Sequence, residues 1–180
     1  MPPPTRCGSL EPREVKEMRT ETREPVVRLF EMGPGAVALT RMGNVFMRPL
    51  IRSRAGRGMH ELALLSFSGR RSGTRYEVPV AYHELDGDGV VLTRSRWRLN
   101  FREGADVEVR RGGRRRPMRA DLIEGPDEVA DVYAELLERY GIEKPTKIGL
   151  RISGDRIPNH QEIRAAVVEG RRTIVRLRPR

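Results

Sequence analysis

The chain has 180 residues, room for one domain with its own core, and 33% of them are charged, giving a formal net charge of +10. No apolar run approaches the roughly 20 residues of a membrane-spanning helix, and the single cysteine, Cys7, excludes an internal disulfide. His60, His83 and His160 are scattered without ligand spacing, so no protein-bound metal is expected. The positive charge is almost all arginine, with lysine only at Lys16, Lys144 and Lys147. Such basicity suits phosphates in some form, whether nucleic acid, anionic lipid or a polyanionic cofactor, and a GC-rich coding sequence would also produce it.

Residues 1–24 are rich in Pro, Arg and Glu and predict a mobile tail, with a single domain over 25–180. The opening "MPPPTRCGSLEPRE" has no apolar signal core, so the expected location is cytoplasmic. Pro25 suits a first helical turn, and Val26, Leu29 and Phe30 would share its inner face until Gly33-Pro34-Gly35 ends the helix. A second amphipathic stretch follows, carrying Val37, Met42, Val45, Phe46 and Leu50. It is expected to pack on the rest of the domain, with peripheral contact to a membrane surface as the alternative. Strand patterns then occupy 60–67, 75–85 and 89–94, with Asp86-Gly87-Asp88-Gly89 as a hairpin turn. Two more, 105–111 and 114–123, flank Gly112-Gly113. A helix opens at Gly125-Pro126 with Asp127 and Glu128 in its first turn, carries the stripe Val129, Val132, Tyr133, Leu136, Leu137 and Tyr140, and closes at Gly141. A short helix over 159–170 and a strand over 172–178 complete an α+β pattern with an antiparallel sheet, for which a small barrel is a natural closure.

The stretch "LLSFSGRRSGTRYEVPVAY", Leu64 to Tyr82, raises a functional question. A hairpin turn needs glycine but has no need of Arg70, Arg71 and Ser72 between Gly69 and Gly73. Flanking glycines let a turn present main-chain N–H groups to an anion, Ser72 adds a hydroxyl, and the guanidinium groups add charge-assisted donors. The spacing is neither a nucleotide-triphosphate loop nor a nucleophile elbow. A solvated hairpin remains the alternative at this point.

The same stretch resembles the signature of the deazaflavin-dependent nitroreductase family, with Gly69, Arg70, Ser72, Gly73, Pro79 and Tyr82 in place and Arg71 where a lysine is usual. Thr93-Arg94, then Trp97-x-x-Asn100-Phe101, then a strand–Gly-Gly–strand hairpin follow in the family's order, so the likeness covers about residues 45–140. Tyr76 stands where an arginine is common, only Ser95-Arg96 precede Trp97, and the segment after Tyr140 does not match the family's ending.

The resemblance implies an antiparallel, FMN-binding-like split β-barrel with N-terminal helices and one long helix packed on the barrel. It implies coenzyme F-420, a deazaflavin with a phosphodiester and an oligoglutamate tail, with FMN as the alternative cofactor. By residue-wise carry-over, Ser68, Gly69, Arg70, Arg71, Ser72 and Gly73 would hold the phosphate, and Arg54 and Arg57 the tail. Tyr76, Val78 and Pro79 would pass along the ring, Thr93 and Arg94 would cover it, and Trp97 and Asn100 would wall the substrate pocket. Tyr140 and Tyr133 would serve as proton donors, or else belong to the helix's core stripe. The implied reaction is hydride transfer from the reduced coenzyme to a small electrophilic acceptor such as a quinone, nitro compound or enone, in a homodimer. Two other classes stand beside it: a non-catalytic barrel carrying a cofactor, haem or lipid, and a nucleic-acid binder. The last is disfavoured, because 5% aromatic content supplies few stacking platforms.

Overall fold

Alternation of apolar and polar residues in the middle of the chain produces strands whose two faces meet different neighbours. The computed structural model describes residues 27–29, 49, 51, 53, 58, 60–153 and 156–180. The expected tail, the helix-like stretch 37–50 apart from Pro49, and both Arg54 and Arg57 lie outside them. In chain order the described elements are β1 (Val27–Leu29), β2 (Leu62–Ser68), β3 (Arg75–Ala81), β4 (His83–Leu85), β5 (Asp88–Thr93), a 3₁₀ helix (Arg96–Phe101), β6 (Ala105–Arg111), β7 (Arg114–Ile123), α1 (Pro126–Tyr140), a 3₁₀ turn (Pro145–Ile148), β8 (Leu150–Ile152), α2 (His160–Glu169) and β9 (Thr173–Pro179).

The main sheet has the order β3-β2-β6-β7-β9-β5-β4, antiparallel at each step. Its two edge strands, β3 and β4, are consecutive in the chain with only Tyr82 between them. The sheet must therefore curl until its edges meet, and the result is an α+β split β-barrel. Tyr82 makes the seam: its N–H donates to the Glu61 carbonyl at 2.9 Å, and its ring covers Gly89, where a Cβ would stand 2.5 Å from the ring. Asp86 and Gly87, both with positive φ, close the tight β4–β5 hairpin.

The strands feed two cores, and β5 and β9 contribute to both. The inward set, Ala63, Leu65 and Phe67 of β2 with Val107, Val109, Met118, Ala120, Val175 and Leu177, fills the barrel. The outward set on β5 and β9, Val90 and Ile174, meets the stripe Val129, Val132, Tyr133, Leu136 and Leu137 of α1, with Ile163, Ala166 and Val167 of α2 behind it. Full burial of side chains of this size stabilises by roughly 1.5–3 kcal/mol each. Both helix ends are specified locally: Pro126 stands in the first turn of α1, Gly141 caps it in a positive-φ conformation, and Asn159 and Glu162 form a reciprocal capping box on α2.

The structure corrects the expectation of a helix starting at Pro25. Val27–Leu29 is a strand, paired antiparallel with Leu150–Ile152 in a separate two-stranded sheet. Pairing buries Val27 beneath the α1 and α2 core, an outcome that helical spacing in the sequence does not anticipate. The run 75–85 is likewise two strands broken at the seam residue Tyr82.

Candidate functional site

The 69–73 turn joins β2 to β3 at one end of the barrel and is braced at three points. The Gly69 N–H donates to the Thr74 carbonyl at 2.8 Å, and the Gly73 N–H donates to the Gly69 carbonyl at 2.8 Å. The third brace comes from 30 residues away: the Arg70 N–H donates to Asn100 Oδ1 at 2.9 Å, while Asn100 Nδ2 donates to the Trp97 carbonyl at 2.7 Å. Gly73 takes φ +65°, which lets the chain leave the turn and enter β3. With these bonds made, the N–H groups of Arg71 and Ser72 are left without an acceptor among the described residues, side by side on an exposed turn. The Arg71 guanidinium makes no ion pair among them either. Arg70, by contrast, is engaged with Glu103. Ser72 Oγ accepts weakly from the Thr74 N–H at 3.3 Å, and its own proton remains to be donated.

An aromatic wall stands behind the turn. Tyr76 stacks on Phe67 with ring centroids 5.5 Å apart, Phe67 meets Phe101 edge-on at 4.9 Å, and Trp97 lies 6.1 Å from Phe67 and 6.0 Å from Phe101. Phe67 and Phe101 are buried and Trp97 half-buried, while Tyr76 is 42% exposed and offers its outer ring to a planar ligand. Gly69 is required here: a Cβ would stand 2.7 Å from Tyr76 Cε2 and 2.9 Å from Ser72 Oγ. On the outer face of β2, β3 and β6, beginning at Arg75 where the turn ends, lies a polar groove of about 450 Å³ that also includes Ser66, Glu77, Glu108, Arg110 and Arg115.

The structure brings Ser68, Gly69, Arg70, Arg71, Ser72, Gly73, Tyr76, Trp97 and Asn100 into one neighbourhood. Val78 points inward against the barrel core and Pro79 outward, opposite Leu64. Thr93 is buried, its Oγ1 accepting from the Ser95 N–H at 3.1 Å, and the Arg94 carbonyl accepts from Arg98 at 2.8 Å; both lead into the 3₁₀ helix that carries Trp97 and Asn100. Asn100, expected to line a substrate pocket, spends both ends of its amide bracing the turn.

The two tyrosines of α1 are not brought to the turn. Tyr133 is fully buried in the outer core, its hydroxyl has no hydrogen-bond partner among the described residues, and burial pushes its pKa up to about 12. A proton donor must reach the reacting group, and from this position Tyr133 cannot. The Tyr140 hydroxyl lies 3.1 Å from His83 Nδ1, with the Lys147 ammonium 5.5 Å from its ring centre; Lys147 in turn pairs with Glu61. Glu61 immediately precedes β2, whereas the turn follows it, so the Tyr140 group and the turn mark opposite ends of that strand.

The sequence assigns no site role to Glu103, Phe67 or Arg75, and Phe101 appears there only as the end of the Trp97-x-x-Asn100-Phe101 pattern; the 3₁₀ helix that returns to the turn brings Phe101 and, just after it, Glu103.

No protein-family model matches the chain, and no curated protein matches it. Several solved structures are similar in fold. A domain-swapped dimer shares 18% identity over 77% of this chain and 98% of its own, with a TM-score of 0.41. An F-420-H2-dependent reductase, FDR-A, shares 20% identity over 65% of this chain and 93% of its own, with a TM-score of 0.40. A conserved hypothetical protein of Mycobacterium tuberculosis shares 17% identity over 84% of this chain and 82% of its own, with a TM-score of 0.43.

Proposed function

We propose that this chain is an oxidoreductase that binds a phosphate-bearing deazaflavin, coenzyme F-420, and passes hydride from its reduced form to a small electrophilic acceptor. The observation that carries this reading is the braced turn. Three long- and short-range bonds brace the turn around Arg71 and Ser72, which leaves two adjacent N–H groups, one hydroxyl proton and one guanidinium without partners among the described residues on one short exposed turn. That donor set matches a phosphate: it is acceptor-hungry, positively charged and fixed before the ligand arrives.

The residues also fit the rest of the coenzyme. Tyr76 presents a ring face beside the turn, and the adjoining groove starts at Arg75, whose guanidinium likewise has no partner among the described residues. Bound there, the coenzyme would supply the hydride chemistry itself. The chain's own part would be to fix the phosphate through Arg71 and Ser72, lay the ring against Tyr76 and shield it with Trp97, while Asn100 keeps the turn in shape. No proton donor is assigned, because neither Tyr133 nor Tyr140 stands near this group. FMN is the second reading: its single phosphate would use the same two amides and hydroxyl.

Titration of the purified chain with F-420 and with FMN, followed through quenching of Trp97 fluorescence, tests the proposal. Saturable quenching by F-420 is expected, weakened about tenfold or more in Arg70→Ala/Arg71→Ala with an unchanged melting temperature. An unaffected titration in that variant would remove the turn from the site, and tighter binding of FMN would transfer the assignment to the flavin.

A further inference from the structure

The barrel has a second mouth, where the β4–β5 and β6–β7 hairpins and the end of β9 come together. Six residues of β2 at about 3.3 Å each put it roughly 20 Å from the 69–73 turn. We propose that this mouth is a separate binding site for a small amphipathic organic anion, one with an apolar body and a terminal phosphate or carboxylate.

The register of β6 against β7 builds it. Val107 is opposite Met118, Val109 opposite Arg116 and Arg111 opposite Arg114, so these pairs share the inward face. The inner lining therefore changes along the hairpin from valine and methionine to three arginines, and the barrel is not plugged by apolar side chains at this end. What remains is a cavity of about 690 Å³, with Tyr82, Val109, Pro117 and Met118 on its walls and Arg111, Arg114 and Arg116 around it. This volume lies within the range of small-molecule pockets.

Its charges are arranged at a cost. Arg111 opposite Arg114 and Arg110 opposite Arg115 set like charges directly across two successive rungs, a destabilising choice for a hairpin. The arrangement is only partly compensated. Arg111 is pinned: its Nε donates to the His60 carbonyl at 2.7 Å, its Nη1 to Glu84 at 2.7 Å, and its guanidinium lies 4.5 Å over the Tyr82 ring. Arg115 points to the other face and approaches Glu108 at 3.5 Å. Arg114 makes no ion pair among the described residues; Arg116 makes no direct ion pair there either, but its charge acts on Glu84, which lines the same cavity and already pairs with Arg111. Three guanidinium groups against the single Glu84 carboxylate leave net positive charge at the edge of a half-apolar cavity, which asks for a ligand that is anionic at one end and apolar at the other. The cavity volume suits a small molecule.

Calorimetric titration of the full chain with decyl phosphate below its micelle concentration provides the test. One saturable equivalent is expected, with decanol and inorganic phosphate each at least about tenfold weaker, since either half of the ligand alone uses half of the site. Arg114→Ala/Arg116→Ala should weaken decyl phosphate about tenfold or more and, by relieving like-charge repulsion, should not lower the melting temperature. Arg71→Ala, at the far end of the barrel, should leave this binding unchanged while affecting F-420. The proposal is overturned if the Arg114/Arg116 variant binds as well as the parent, if decanol binds as tightly as decyl phosphate, or if inorganic phosphate does.

Discussion

At the scale of single residues, chemistry-bearing groups divide into those left available and those already used. Arg71 and Ser72 are available; Asn100, Thr93 and Arg70 are committed to partners inside the chain. The sequence made the turn's donors legible because glycine spacing and guanidinium groups are local signals. It could not reveal the commitments of Arg70, which join it to Asn100 and Glu103, 30 or more positions away. His83 is another hidden residue, a lone histidine in a strand pattern. It is 7% exposed, and burial pulls its pKa below the ordinary 6.5, against the raising influence of Glu61 and together with the lowering influence of Lys147. The sign follows from proton counting. Below pH about 6.5 the unfolded chain binds a proton that the folded chain refuses, so stability falls as the pH drops through that value. Melting temperature measured from pH 8 to pH 5 should therefore decline, and His83→Gln should flatten the part of the decline that belongs to this residue. An equal slope in the variant would assign the loss to other groups.

At the scale of elements, α1 was the most readable, because its stripe spans about three turns and both ends carry local stop signals. The same clarity misled in one respect: a stripe that includes two tyrosines suggests chemistry as readily as packing. Packing accounts for Tyr133. Its hydroxyl is carried into the outer core with no acceptor among the described residues, a cost that its ring burial more than offsets. Tyr133→Phe should stabilise the fold by about 1 kcal/mol, seen as a rise of roughly 2–4 °C in the melting temperature, and leave coenzyme binding unchanged. A loss of stability would mean that the hydroxyl has a partner in solution. Short strands were the least readable elements. "VRL" and "LRI" are too brief for any period to declare itself, and the apolar residues after Pro25 satisfy helical spacing equally well. Only their mutual pairing makes them strands.

At the scale of the molecule, the antiparallel barrel was foreseeable from hairpin turns and alternation, but its seam was not. Closure depends on Tyr82 ending one edge strand, starting the other and filling the space over Gly89, a relation between distant edges of the sheet that no single stretch encodes. Closure also gives the barrel two mouths with different linings. One is plugged by Phe67, Trp97 and Phe101 behind a donor-rich turn; the other is open and edged by Arg114 and Arg116. The net charge of +10 thus serves two concentrated fields in this account. The claim on which the proposed function rests is that the turn holds the anionic arm of the coenzyme, and equilibrium dialysis of F-420 beside its phosphate-free deazaflavin chromophore addresses it directly. The account predicts that the parent chain binds F-420 about tenfold or more tightly than the bare chromophore and that Arg71→Ala narrows this gap. Equal affinities for the two ligands in the parent chain, or a gap that Arg71→Ala leaves untouched, would contradict it.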